Sequence, residues 1–150
     1  MLNRPIQSAH ELLPHSGKMA LIDHVETFDE TSLHAIAHIT PEHVFVHDGM
    51  LPNWAFVEIM AQGIAALAGC HAKAAGEDIR LGFLLGSRRL LLAVDAIFAP
   101  ACLRVSVQES LKDERGFGVY DCRLLNTTDN ALLAEAALNV FSPPQGINHG

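Results

Sequence analysis

The stretch WAFVEIMAQGIAALAGCHAKAA, residues 54–75, contains no proline and is apolar or small on every side of a helical projection. Asn53 stands in front of it, where a side-chain oxygen can take up an orphaned first-turn N–H. Gly76 stands behind it, where a left-handed residue commonly ends a helix. The pattern predicts a helix roughly 33 Å long. A helix apolar or small on every face implies surroundings on all sides rather than one wet face. It does not read as a bilayer span, because Glu58, Gln62, His71 and Lys73, with Gly63 and Gly69, break it before about 18 clean apolar positions accumulate.

The enclosing material is strand-like. MALIDHVETFD reads as a strand, a polar turn follows at Asp29 and Glu30, and SLHAIAHIT reads as its antiparallel partner. Before them, SAHELLPHSG reads as a short helical turn stopped by Pro14 and Gly17; residues 41–53 read as irregular. After the helix, RLGFLLGSRRLLLAV, CLRVSVQESL and GVYDCRLLN read as strands separated by turns such as KDERG and NTTDN. In the third of these, Tyr120, Cys122 and Leu124 share one side, and Asp121 and Arg123 the other. ALLAEAALNVF has helix-forming composition, yet Leu132, Ala134, Ala136, Leu138 and Val140 alternate after a hairpin-like turn, which favours strand. The outline is an α+β fold: two strands, one long central helix, then three or four strands of a curved antiparallel sheet. Residues 1–150 form one domain, without repeats or linkers. A single sheet of this size leaves much of the helix uncovered, and burial in an oligomer is the expected remedy.

With 49% apolar and 18% charged residues, the chain has the composition of a soluble globular protein. A net charge of -7, with no local Lys/Arg cluster, argues against a nucleic-acid binder. The first residues lack the basic and apolar stretches of a secretory signal, and Cys70, Cys102 and Cys122 are too few and too scattered for a disulfide framework. They read as small buried thiols of a cytoplasmic protein.

Glu58 is the chemically anomalous residue of the helix. Burial of a carboxylate favours its protonated form, which suits a general acid, whereas the positive end of the helix dipole acts in the opposite direction. The plainer reading places Glu58 in solvent at a frayed helix start. Gln62, one turn on, is placed to orient it. Among the histidines, His34 and His38 lie about 13 Å apart along a strand and cannot share a metal. His43 and His47 have no third ligand at a recognised spacing, so no metal site is expected. His47 precedes Asp48-Gly49 in the segment that feeds the helix start, where first-turn amides attract an anion or a developing oxyanion. LGFLLGSRR places Gly86 in a strand; this usually marks a bulge or close packing, and it can also let a chain-like substrate approach the backbone. There is no G-x-S-x-G, Walker loop or G-x-G-x-x-G opening a helix.

ELLPHSGKMALIDHV and HDGMLPNWAFVEIMAQ resemble the opening and the active-site loop and helix of the β-hydroxyacyl-acyl-carrier-protein dehydratases. The specific part is E-x-M-A-Q, Glu58 to Gln62. The loop departs from that family's pattern: it is shorter between His47 and Pro52, Asn53 replaces a glycine, and Trp54 is bulkier than usual. These departures resemble a divergent branch, the dehydratase-like proteins associated with aryl-polyene pigment synthesis.

The resemblance implies a hotdog fold, a long helix wrapped by an antiparallel sheet, with sites built across a dimer and no cofactor. It implies Glu58 as the catalytic acid and His47 as the catalytic histidine, with His43 as competitor. Gly49, Asn53, Trp54, Gln62 and Gly86 are the expected substrate contacts, the amides near Gly49 and residues 53–56 being donors to a thioester oxygen. The implied reaction is dehydration of a (3R)-hydroxyacyl thioester, carried on acyl-carrier protein or coenzyme A. A hotdog thioesterase and a non-catalytic subunit of a heterodimer are the alternatives to a catalytic homodimer or higher homo-oligomer. Arg88 with Arg89 is the candidate basic patch for an acidic carrier.

Overall fold

In the computed structural model, which describes residues 20–78 and 82–143, alternation has decided the sheet. The order of elements is β1 (His24–Phe28), β2 (Ser32–Ile39), β3 (Met50–Pro52), α1 (Trp54–Ala74), β4 (Phe83–Leu92), β5 (Ala96–Phe98), β6 (Ala101–Lys112), β7 (Phe117–Asn126) and β8 (Leu132–Phe141). The helical turn expected at SAHELLPHSG lies outside the described residues.

Six strands form one antiparallel sheet in the order β1-β2-β6-β7-β8-β4. The first hairpin is tied by Asp29, whose Oδ1 accepts from the backbone N–H groups of Thr31 and Ser32 and from the Ser32 hydroxyl. Cross-strand rows separate the two faces. Ala35, Val105, Leu124 and Ala134 make one inward row, and His34, Ser106, Arg123 and Glu135 make the outward row beside it. This is the expected alternation of a sheet wet on one side. β8 is a strand despite its alanines, because β7 and β4 pair with it from both sides and so override local helix propensity.

α1 crosses the concave face, mainly over β2 and β6. It is long and apolar enough to cross a bilayer by length and composition, yet 67% of its most apolar window is buried inside its own chain. Phe56, Ile59, Met60 and Leu67 are buried against the sheet, each contributing about 1.5–3 kcal/mol. Gly63 sets the distance of approach: a Cβ there would stand 3.0 Å from Val107 Cγ2 and 3.2 Å from Val105 Cγ2. The helix ends as expected, with Gly76 at φ +71°.

Three expectations are corrected. Residues 41–53 are not wholly irregular: β3 pairs with β5 in a two-stranded ribbon, and five strands rather than three or four follow the helix. Asn53 does not cap α1 with its side chain, because its backbone is already helical (φ −68°, ψ −20°) and its Nδ2 donates to Val94 O at 3.1 Å. The sheet leaves one side of the helix uncovered, as expected of a single sheet of this size: Trp54, Glu58 and Ala68 are exposed and Val57, Ala61 and Ala65 half-buried, all on one stripe.

Candidate active site

The loop carrying His47 is a tight hairpin. His47 N–H donates to Met50 O at 2.8 Å and Met50 N–H to His47 O at 3.0 Å, while Asp48 (φ 52°) and Gly49 (φ 75°) both occupy the left-handed region. Positive φ at both central positions defines a type I′ turn, for which Asp-Gly is a preferred pair. The turn is fastened to the far end of the ribbon by Ala99 N–H donating to Gly49 O at 2.9 Å, and the helix start by Asn53 N–H donating to Asp95 O at 2.9 Å.

This frame places His47 and Trp54 on one depression, with Gly49 at the far end of the β3–β5 ribbon and Asn53 at the helix start. The His47 side chain is 88% exposed and its Nε2 lies 3.5 Å from Asp48 Oδ2. Trp54 is 53% exposed and meets Phe45 edge-on, with ring centroids 4.9 Å apart. Val44, Phe45, His47, Met50 and Trp54 line an open depression of about 620 Å³. Phe45 and Met50 are contributions that sequence reasoning missed; the available signal was the apolar run Val44-Phe45-Val46 immediately before His47.

His43 is in a different state. It is half-buried, and desolvation lowers its pKa from the ordinary histidine value against a smaller opposing pull from Asp23. Its Nδ1 accepts from Phe45 N–H at 3.1 Å, which places the proton of the neutral ring on Nε2. A ring so engaged has no lone pair left for a substrate proton, whereas His47 presents its imidazole to solvent.

Glu58 lies on the uncovered stripe one turn beyond Trp54, and burial by its own chain does not act on it. It has no hydrogen bond or ion pair among the described residues, and it does not line the depression beside His47. Gln62 is 3% exposed; its Oε1 accepts from Leu21 N–H at 2.7 Å and so pins the segment entering β1 onto the helix. Gly86 sits at a bulge in β4, half-buried, with no atom within 4 Å of a Cβ position. One chain therefore brings two of the expected residues, His47 and Trp54, to one depression, holds Glu58 on the open stripe of α1, and leaves Gly49, Asn53, Gln62 and Gly86 off its lining. Among the described residues, no group of three His, Cys, Asp or Glu side chains converges as metal ligands.

Buried Cys70 and Cys122 have thiol pKa values pushed up by desolvation to about 12, while Cys102 is half-buried. All three thiols are unpaired, and the two buried ones are packing residues.

A chain of the dehydratase heterocomplex ApeI:P from Xenorhabdus doucetiae is 28% identical to this one, with a TM-score of 0.85 and 93% of each chain covered. Two more distant structures share the fold. One is a hypothetical thioesterase with coenzyme A from Streptococcus pneumoniae, at 12% identity and TM-score 0.62, with 81% of this chain and 85% of that one covered. The other is a thioesterase from Haemophilus influenzae, at 13% identity and TM-score 0.64, with 100% of both covered. A comparison with curated protein sequences gave no match. The ApeP-like family, described as ApeP dehydratase, matches residues 7–149. With the helix, the curved antiparallel sheet and the E-x-M-A-Q glutamate in place, the chain belongs to the ApeP-like dehydratase family and has the hotdog fold.

Proposed function

We propose that the chain dehydrates a (3R)-hydroxyacyl thioester on acyl-carrier protein to the trans-2-enoyl thioester, as one half of a two-subunit site. The observation that carries this reading is the dehydratase-family match over 7–149, with its glutamate on the one stripe of α1 that the chain leaves open. In the reaction, neutral His47 removes the α-proton, and protonated Glu58 gives a proton to the departing β-hydroxyl. The C–H and C–O bonds break, a C=C bond forms and water leaves. Amides near Gly49 and at the first turn of α1, where no side-chain cap intervenes, stabilise the thioester oxygen as enolate character develops.

Glu58 does not line the depression that holds His47, which supports a second subunit closing the site. β4 supplies a place for it: an edge strand of the six-stranded sheet with Phe83, Leu84, Leu85, Leu90 and Leu91 exposed. The likeness to a chain of the Xenorhabdus doucetiae heterocomplex supports a related rather than identical partner. Three unpaired thiols fit a reducing cytoplasmic setting.

The test follows enoyl-thioester absorbance in the ultraviolet, for the chain alone and with a related partner. His47→Ala and Glu58→Gln should each lower the rate by at least about 100-fold. Full activity in both variants refutes the residue assignment. Release of free thiol, read with a coloured thiol reagent, identifies a thioesterase instead, because dehydration leaves the thioester intact. A second reading, a supporting subunit whose partner holds the working residues, is favoured by the solvent-facing His47–Asp48 pair. It predicts that both variants leave the activity of the complex unchanged.

A further inference from the structure

β4 pairs with β8 on one side and with no other strand among the described residues. An unpaired edge of this kind is a template for a strand from another chain. Its sequence, FLLGSRRLLL, is apolar at both ends and cationic in the middle. An antiparallel neighbour that covers both apolar ends is centred at Ser87 or Arg88.

Two identical strands related by a two-fold axis keep facing residues on the same sheet face, so such a pair is centred on Ser87 or on Arg88, beside the register shift between Ser87 and Arg89. The two Arg88 Cα atoms then lie about 5–8 Å apart, from strand spacing and rise. Four guanidinium groups gather at one axis. On each chain Asp121 Oδ1 stands 3.8 Å from Arg89, whereas Arg88 has no carboxylate partner among the described residues. Like charges facing one another across a strand pair oppose its formation, and arginine cannot shed its proton to relieve them.

We propose that Arg88 and Arg89 set the choice of partner at this edge. They disfavour a second copy of the chain and fit a related subunit whose facing strand is apolar at both ends and carries Asp or Glu at its centre. This assigns the pair a task other than carrier binding. It rests on the reading of the chain as one half of a two-subunit dehydratase, but it concerns association alone and is tested without substrate.

The experiment mixes the full chain with its Arg88→Glu/Arg89→Glu variant, which presents carboxylates at the same centre on an otherwise identical edge, and measures association by analytical ultracentrifugation. The equimolar mixture should associate at least about tenfold more tightly than either protein alone. Wild-type self-association should strengthen as salt rises from about 50 to about 500 mM, because screening relieves repulsion, while the mixed pair should weaken. Wild type that self-associates as tightly as the mixture, or salt effects of the opposite sign, would overturn the proposal. If the charge-reversed variant fails to fold, Arg88→Gln/Arg89→Gln serves in its place. It should self-associate at least about tenfold more tightly than wild type, and an unchanged constant would overturn the proposal equally. Loss of the dehydration reading with charge selectivity intact, or the reverse, tells the two ideas apart.

Discussion

At the scale of single residues, Gln62 shows how a polar side chain in an apolar helix can serve the fold. Its Oε1 is the acceptor for the Leu21 N–H, and both residues are buried. The near-isosteric Gln62→Met leaves that donor unsatisfied and should lower unfolding free energy by about 1–3 kcal/mol in urea titrations. An unchanged midpoint would mean that the bond contributes nothing. Glu58 was legible as an oddity for a reason that the fold inverts: the segment is apolar all round, but the acid lies on the stripe left outside. Asn53 was misread because capping was judged from local sequence alone. The group that claims its side chain, Val94 O, is distant in sequence and reaches it only once β3 and β5 have paired.

At the scale of elements, the long pieces were readable and the short ones were not. α1 and the strands of eight to twelve residues, such as β2 and β6, carry enough positions for a period to emerge. β3 and β5, with three residues each, carry no period, though Asp48-Gly49 was a turn signal in plain view. The outer face of the sheet offers a test of how β1 is held. Arg104 of β6 reaches past β2 to Glu26, donating from Nε at 2.9 Å and Nη2 at 3.3 Å. This hydrogen-bonded pairing holds the Glu26 carboxyl below its ordinary value of 4.5, against a smaller desolvation effect. A lowered carboxylate pKa adds stability above the unfolded-state value and loses it as pH falls through the folded one. Both side chains are 34% exposed, so solvent screening limits the contribution to about 0.5–1 kcal/mol. Glu26→Gln should therefore unfold more easily than wild type at pH 7, and the two should converge as pH drops below 4.5. A gap that persists in acid points to packing instead.

At the scale of the whole molecule, the features left unsatisfied are consistent with one another. The open stripe of α1 and the bare edge of β4 are both left uncovered by the described chain, and the expectation of burial by a second subunit came from the helix composition alone. The partner chemistry proposed for the β4 edge was not readable that way, because composition counts apolar surface without recording where Arg88 and Arg89 interrupt it. A partner that binds only the folded chain raises its thermal midpoint by mass action, by about 2.7 kcal/mol at a hundredfold excess over Kd. Titrating a related subunit into the chain under differential scanning calorimetry should show that rise. A midpoint indifferent to the partner contradicts assembly at this edge.

The strand that offers this edge runs, within a few residues of its end, into Val94 and Asp95, whose carbonyls receive the side-chain and backbone N–H groups of Asn53. Docking surface and helix start thus hang from one short length of backbone. If a partner strand docks on β4 as proposed, its register and the aim of the first turn of α1 are linked through this one length of backbone, so a partner seated one step out of register would redirect the helix start without touching it.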